Sequence, residues 1–419
     1  MTLARRSTAE LIAGSGVASL LSIAFVALAG RILGAREYAD FATGLAVLYL
    51  VGGALSPIVP TISHFAALHL ERGEAAAIAS LRRGFWRRVS LAALALSPLA
   101  IGGAWLATRT LGIRSPWTMP LALAAVFLYV LLTIDRAVLQ GTLQFRRFSV
   151  NAVAESALRM LGLAALLAAA MASAAIAIYV ASLGAALLLA RVQLGALRVE
   201  TSEPLVWRPL LAFAAPNFLL MLNLALQQNV DMLVVRRWFD AAEAAPYGAM
   251  VALVRGIGLI AIPFASAAVP ALTVHRERGG AAGGMLLRFC AAFAALGAVA
   301  VAVFVFFGHE LLLLLYGPEF TAAASLLGEL SVAALLGWLG YLLGQSLVAL
   351  HRFRFLWFYS AMTVVQLGGY ALFHDTLRQL IHVQIACQAA VVTVLAVMAG
   401  TMRACSGSSS TASTPKPPL

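Results

Sequence analysis

The charged residues of this chain fall almost entirely in gaps between about twelve apolar segments, each roughly 17–28 residues long. That length matches a helix that crosses the hydrocarbon core of a bilayer. The chain is 62% hydrophobic and 11% charged, whereas soluble domains carry about 25% charged residues. Its mean hydropathy is +0.93. The sequence therefore predicts an all-α polytopic membrane protein.

The predicted spans follow one another along the whole chain. They cover 11–30, 41–66, 89–108, 118–140, 149–172, 173–190, 209–235, 248–274, 289–308, 323–350, 355–373 and 380–402. The junction at Met171–Ser173 carries no charge, so two separate spans there require a tight turn. Twelve spans fit two tandem six-helix lobes, predicted at 1–198 and 199–402. Residues 403–419 are rich in Ser and Pro and are predicted to be a disordered cytoplasmic tail.

Basic residues predict the orientation. With the N-terminus in the cytoplasm, nineteen Lys and Arg residues face the cytoplasm, seven face the opposite side, and three lie in the membrane. An excess of Lys and Arg marks cytoplasmic loops, so both termini are predicted to be cytoplasmic. The net charge of +12 is then an orientation feature, and no nucleic-acid partner is expected. The basic run Arg82–Arg88 is interpreted as a topology anchor, and a specific lipid or partner site is the alternative.

The short loops exclude several classes of function. None is long enough to hold a soluble catalytic domain, and no Gly-Lys-Ser/Thr loop is present to bind nucleotide phosphates. No His, Cys and carboxylate residues have the spacing of a metal site. The three cysteines form no disulfide framework. The sequence favours a transporter over an enzyme and predicts no cofactor or metal.

Two predicted spans carry polar stripes at a spacing of four residues. Asn151, Glu155 and Arg159 share one face of span five, and span seven repeats the pattern further along the chain. Lipid does not tolerate such a face, so each stripe is predicted to look into the bundle or a wet cavity. The stripe of span seven contains Asn223, Gln227 and Asp231.

Other charged residues inside the spans extend these stripes. Glu155 can pair with Arg159 along its own helix, and Asp231 can reach Arg255 across the following hairpin. Asp135 and Arg136 lie near the inner end of span four, and Glu329 lies in span ten. Each of these charges has two interpretations, an interhelical tie or a functional site, and the sequence leaves both open.

Proline residues occur at similar depths in both predicted halves. Pro57 and Pro60 follow the first hairpin, and Pro263 and Pro270 follow its counterpart in the second half. Paired interruptions of this kind are interpreted as bent helices beside a central cavity, and the alternative is that proline is simply tolerated in membrane helices. The predicted helix-bending residues are Pro57, Pro60, Pro216 and Pro263.

Short motifs along the chain resemble one family of exporters. The run Arg31–Tyr38 (RILGAREY) resembles the first hairpin of polysaccharide-transport flippases of the Wzx type, in the multidrug/oligosaccharidyl-lipid/polysaccharide exporter superfamily. Phe213–Pro216 with Asp231 is similar to their seventh helix, and Tyr247-Gly248 to their eighth. Leu315–Phe320 (LYGPEF) resembles the segment before their tenth helix.

The resemblance implies a MATE-like, V-shaped bundle of two lobes in the bacterial inner membrane. The implied cargo is an undecaprenyl-pyrophosphate-linked oligosaccharide, flipped to the outer leaflet for O-antigen, capsule or exopolysaccharide synthesis. Glycan polymerase and assembly proteins are the implied partners, besides membrane lipids. A multidrug exporter of the same fold is the main alternative, with a carboxylate such as Glu155 or Asp231 binding a cation. A membrane-embedded glycan-processing enzyme is disfavoured by the short loops.

The candidate site residues follow from the stripes and the implied cargo. Pyrophosphate is anionic, and arginine is a permanently charged, two-pronged donor for phosphate. The predicted cavity residues are Arg31, Arg159, Asn223, Gln227 and Arg255. The predicted ion-coupling or ion-pairing residues are Glu155, Asp231 and Glu329.

Overall fold

The computed structural model describes residues 2–195, 205–277 and 282–405. It leaves out the side chains of residues 2–9, 11–12 and 402–405 and several between 260 and 282. The described residues form thirteen α-helices. These are α1 (Thr2–Ala54), α2 (Ile58–Glu71), α3 (Ala75–Thr110), α4 (Thr118–Gly141), α5 (Phe145–Ala168), α6 (Ala172–Gln193), α7 (Trp207–Trp238), α8 (Ala241–Val254), α9 (Gly256–Glu277), α10 (Ala282–Leu315), α11 (Leu327–Ala349), α12 (Phe355–Leu372) and α13 (Leu377–Cys405).

The helices follow the predicted spans in order. Among the described residues, ten helical segments are long and apolar enough to cross a membrane. The first of them, Ala13–Glu71, holds both predicted spans 11–30 and 41–66. The predicted span 248–274 lies on α8 and α9, which meet at Arg255. The all-α class is confirmed. The predicted disordered tail, 403–419, begins within a helix, because α13 continues to Cys405. Residues 406–419 lie outside the described residues.

The first long helix bends at Gly34. Its φ of 68° lies in the left-handed region, which glycine adopts without the steric penalty of a Cβ atom. Directly after the bend, the amide of Ala35 donates to Oε2 of Glu319, at 3.1 Å. Gly34 thus turns the chain from the first predicted span into the second.

The predicted tight turn between spans five and six is present. α5 ends at Ala168 and α6 begins at Ala172. Oε2 of Glu37 accepts a hydrogen bond from the amide of Ala172, at 2.9 Å. A carboxylate at a helix N-terminus interacts favourably with the exposed amides and the helix dipole. The turn therefore rests on a residue of the first hairpin.

The helices form two compact units. The first contains Met1–Leu253 and Phe307–Leu327, and the second contains Val254–Phe306 and Gly328–Leu419. In the first unit, α1 packs along α5 and α7, and α4 packs against α2, α3 and α6. In the second, α12 packs against α13. The division into six-helix lobes at 198/199 stays a prediction, since packing alone groups α7 with α1.

Two motifs far apart in sequence meet inside the first unit. The ring of Tyr38 contacts Tyr316 and Phe320 edge-on, with centroids 5.6 and 5.2 Å apart. Arg31 donates to the carbonyl oxygens of Leu313 (3.1 Å) and Leu314 at the end of α10. The runs 31–38 and 315–320, which carried much of the family resemblance, therefore form one packed cluster.

Close packing of α2 on α4 depends on a glycine. A Cβ atom built on Gly141 would lie 2.6 Å from the carbonyl oxygen of Ser63. Small residues that let backbones approach are typical of helix contacts in membranes. We expect Gly141→Ala to lower the free energy of unfolding by about 1–3 kcal/mol, because backbone must move. Thermal unfolding in detergent measures the change.

Gly103 on α3 provides the matched control. An added Cβ there meets no atom within 4 Å. Gly103→Ala should leave stability unchanged or raise it by about 0.5–1 kcal/mol, since alanine restricts the unfolded chain. Equal melting temperatures for Gly141→Ala and Gly103→Ala would contradict the packing described.

Orientation stays a prediction that reporter fusions test. Fusions after Arg147 and Arg352 should report the cytoplasm, and fusions after Arg114 and Arg378 should report the opposite side. Loss of the turn at Met171–Ser173 would invert every later loop. Alkaline phosphatase activity from a fusion at Arg352 would therefore contradict the predicted topology.

Candidate functional site

The polar stripe of α5 is buried within the first unit. Asn151 is fully enclosed, and Glu155 and Arg159 are each 6% exposed. Their spacing of four residues places all three on one face of the helix. Beyond Arg146 and Arg147 at its N-terminal end, the exposed residues of α5 are apolar, as expected for a membrane helix. The stripe therefore looks into the bundle.

Glu155 is shared by two arginines. Arg159 approaches its Oε1 from one turn further along α5, and Nη2 of Arg136 on α4 lies 2.7 Å from its Oε2. The first contact is the one that the i, i+4 spacing predicts. The second crosses between helices, so one carboxylate joins α4 to α5.

Asn151 extends this network to a third helix. Nε of Arg136 donates to its Oδ1 at 2.8 Å. Its own Nδ2 donates to the carbonyl oxygen of Ala186 on α6, at 2.7 Å. Buried polar groups must be paired to avoid a large desolvation cost, and both the oxygen and the nitrogen of the Asn151 side-chain amide have a partner.

Arg159 lies at the aromatic end of the network. Its guanidinium carbon is 4.5 Å from the centre of the Tyr179 ring, a cation–π contact. Its Nη1 lies 3.4 Å from Oγ of Ser22, which in turn lies 3.2 Å from Oγ of Ser156. Among the described residues, Nε of Arg159 donates to no acceptor. This arginine thus retains an unused donor.

The network carries excess positive charge. Arg136 and Arg159 share the single carboxylate of Glu155, and their other partners within the described part of the chain are neutral. Burial of a charge is costly unless an opposite charge accompanies it. A buried group of net charge +1 is therefore suited to an anionic partner. We call Arg136, Asn151, Glu155 and Arg159 the arginine–glutamate network.

The polar stripe of α7 is also buried. Asn223, Gln227 and Asp231 are at most 4% exposed. Oδ2 of Asp231 accepts a hydrogen bond from the hydroxyl of Tyr247 on α8, at 2.8 Å. Arg255 is half-buried in the turn between α8 and α9. The Asp231–Arg255 pair stays a prediction, and sequence reasoning missed the tyrosine that Asp231 does contact.

Two other candidate residues make contacts typical of structural ties. Arg31 donates to carbonyl oxygens at the C-terminal end of α10, where a cation complements the helix dipole. Glu329, in the first turn of α11, lies 3.2 Å from Arg378 and 3.1 Å from His382 on α13. Its side chain is 32% exposed, so it lies nearer the surface than the two stripes.

The predicted helix-bending prolines occupy different positions in their helices. Residues 55–57 interrupt the helix between α1 and α2, and Pro57 directly precedes α2. Pro60 lies in the first turn of α2, where a missing amide donor costs nothing. Pro216 lies inside α7. Pro263 lies on α9, with a side chain outside the described residues.

Sequence reasoning missed the buried ion pair of Asp40, and it named Asp135 as a possible interhelical tie without identifying its partner. Asp40 is fully buried and accepts from Nη2 of Arg236, at 2.8 Å, which joins α1 to α7. Asp135 is also fully buried and accepts from Nε of Arg82 (2.7 Å) and Nε1 of Trp86 (2.9 Å). Both pairs bridge different helices, and Arg82 and Arg236 lie in predicted loops. No signal within a single span points to them.

No group of three or more potential metal ligands occurs among the described residues. The sites above consist of arginine, carboxylate, amide, hydroxyl and aromatic side chains. Their chemistry is that of binding and charge compensation.

No protein-family model and no curated protein matches this sequence. Solved structures do match the fold. One is a multidrug resistance MATE family transporter of the MOP superfamily in an inward-facing conformation, with a TM-score of 0.74 and 14% identity, covering 92% of this chain and 96% of that one. A eukaryotic MATE transporter, AtDTX14, has a TM-score of 0.61 and 14% identity over 96% of this chain and 99% of its own.

A third match is a MOP superfamily transporter from Pyrococcus furiosus, described as having a binding pocket of reverse polarity that suggests a different function. It has a TM-score of 0.59 and 13% identity over 95% of each chain. Identities this low establish the fold alone. The chain is thus a multi-pass membrane protein with the fold of MATE family transporters.

Proposed function

We propose that this chain is a flippase that moves an undecaprenyl-pyrophosphate-linked oligosaccharide from the cytoplasmic to the outer leaflet. The MATE-like fold supports a membrane transporter. The sequence motifs favour the polysaccharide branch of the superfamily. The observation that carries the proposal is the arginine–glutamate network, because a buried excess of arginine suits a pyrophosphate cargo.

In this mechanism, Arg159 provides the first contact for the pyrophosphate. Its Nε has no acceptor among the described residues, and its guanidinium is already oriented by Glu155 and the Tyr179 ring. A pre-oriented donor loses little side-chain freedom on binding. Glu155 holds Arg136 and Arg159 in place and keeps their mutual repulsion low when no cargo is bound.

The lipid tail of such a cargo can stay in the bilayer while its charged headgroup crosses. Direction would come from a coupling ion or from the membrane potential, worth about 2.3 kcal/mol per charge per 100 mV. Asp231 is the candidate proton carrier, since it is buried and hydrogen-bonded to Tyr247. Its alternative role is static charge compensation.

A multidrug exporter is the second candidate. The structural neighbour with the TM-score of 0.74 is described as a multidrug resistance transporter, and Glu155 and Asp231 are buried carboxylates. A drug cation would have to replace the donors that these carboxylates already have. Glu155 is held by two guanidinium groups, and this favours the anionic cargo.

Reconstituted vesicles separate the two candidates. The full chain is incorporated into liposomes that contain a fluorescent undecaprenyl-pyrophosphate oligosaccharide, and dithionite quenches whichever lipid faces outward. A flippase should expose the inner-leaflet pool faster than protein-free vesicles do. Ethidium efflux from the same vesicles tests the exporter. Ethidium transport without lipid flipping would contradict the proposal.

A further inference from the structure

A basic cavity lies at one end of α3, well separated in sequence from the arginine–glutamate network. It has a volume of about 810 Å³ and is lined by Arg83, Arg87, Arg88, Trp86 and Trp207, among others. The two tryptophans come from α3 and from the first residue of α7. No carboxylate lines it among the described residues. The cavity thus combines concentrated positive charge with aromatic walls.

Aromatic contacts hold part of this cavity in shape. The guanidinium carbon of Arg88 lies 3.5 Å from the centre of the Trp207 ring. The centres of the Phe85 and Trp207 rings are 5.1 Å apart. Trp86 is held by its hydrogen bond to Asp135, and the guanidinium of Arg191 lies 4.3 Å from the centre of its ring. Tryptophan beside arginine is typical of the level at which lipid headgroups lie. The site is built from both α3 and α7.

An apolar cavity adjoins the basic one. It has a volume of about 260 Å³ and a mainly apolar wall that includes Phe65, Leu68 and Leu210, while Arg72 and His69 add polar groups. Ser80 and Leu205 line both cavities, so the two share a wall. A charged compartment next to an apolar one matches an amphiphile with an anionic headgroup. A free anion has no acyl chain to place against the apolar part of the second cavity.

We propose that this pair of cavities binds the phosphate headgroup of an anionic phospholipid, with part of an acyl chain against the apolar wall. Arg87 and Arg88 are the expected phosphate donors, because both are exposed and the stacking of Arg88 on Trp207 leaves its in-plane N–H groups able to donate. Basic pockets beside membrane helices on the cytoplasmic side bind anionic headgroups, and this end of α3 is predicted to be cytoplasmic. The inference goes beyond the proposed cargo and does not depend on it.

The test compares lipid-dependent stability of the full-length protein. Wild type is purified in phosphatidylcholine micelles, and its melting temperature is measured with added phosphatidylglycerol. We expect the stabilisation by phosphatidylglycerol to fall by at least half in Arg87→Gln/Arg88→Gln. Arg109→Gln is the matched control, because Arg109 also lies on α3 and stacks on a tryptophan, Trp105, at 3.6 Å. It should retain the full stabilisation.

A comparison with inorganic phosphate distinguishes a lipid site from a general anion site. Inorganic phosphate at the same concentration should give less than half of the lipid effect, since it has no acyl chain to pack against the apolar wall. An equal effect of inorganic phosphate would overturn the lipid assignment. An unchanged phosphatidylglycerol effect in the double variant, or an equal loss in Arg109→Gln, would overturn the site. If the double variant does not fold, the single variant Arg87→Gln replaces it, because Arg87 is exposed. Its stabilisation by phosphatidylglycerol is then compared with that of wild type and Arg109→Gln.

Discussion

Replacing Arg159 with alanine should lower the flipping rate of the lipid-linked oligosaccharide by about 10–100-fold, the effect of one lost hydrogen bond to a charged group. The protein should remain folded, because Glu155 keeps Arg136 as its partner at 2.7 Å. No buried charge is left alone by this substitution. Vesicle flipping, with the amount of inserted protein measured in parallel, tests both halves of the expectation.

Two further variants define what Arg159 contributes. Arg159→Lys keeps the charge and loses the planar, two-pronged donor, so it should restore only part of the rate. Arg109→Ala changes an exposed arginine outside the network and should transport at the wild-type rate. If Arg159→Ala were absent from the membrane, Arg159 would be a structural tie and would leave the proposed site.

Replacing Glu155 with glutamine should have the largest effect on stability. It removes the carboxylate that the buried Arg159 and the largely buried Arg136 share, and both guanidinium groups lose their counter-charge. Removal of one partner from a buried ion pair costs about 3–5 kcal/mol. We expect a matching fall in the free energy of unfolding. Denaturation in mixed micelles, followed by the loss of helical signal, measures it.

A second substitution should reverse this loss. Glu155→Gln/Arg136→Gln restores the original net charge of the network and should recover most of the stability. Because Arg159 is retained, this double variant should also transport faster than the double variant Glu155→Gln/Arg159→Gln. Wild-type stability of Glu155→Gln alone would contradict the ion pairing described.

The sequence was sufficient for the class of fold and for the burial of its polar stripes. Long apolar segments can satisfy their backbone in a bilayer as helices, so the helical class and the order of the segments follow from the sequence. A spacing of four residues places side chains on one face of a helix, and this predicts both the Glu155–Arg159 contact and its burial. These are properties of single helices, and they need no knowledge of neighbours.

Contacts between helices could not be predicted in the same way. Periodicity states which residues share a face, but not which helix covers that face. Arg136 therefore looked like a residue near the membrane interface, although it reaches Glu155 on the next helix. Asp231 had Arg255 as its expected partner, and the hydroxyl of Tyr247 is a partner that only the packing of α7 and α8 identifies.

Arg31 shows the same limit over a longer distance. It was predicted in the substrate cavity, and it donates to two carbonyl groups almost three hundred residues further along the chain. The family resemblance had marked both runs, 31–38 and 315–320, without relating them. Only the packed structure shows that Gly34, Arg31 and Glu319 form one arrangement.

The central claim is that the arginine–glutamate network recognises the negative charge of the cargo headgroup. The most direct test compares two fluorescent lipids that carry the same oligosaccharide and polyprenyl chain, one with pyrophosphate and one with a neutral linkage. Wild-type protein in vesicles should flip the pyrophosphate lipid at least about tenfold faster, and Arg159→Ala should abolish that preference. Equal rates for the two lipids with wild-type protein would contradict the account.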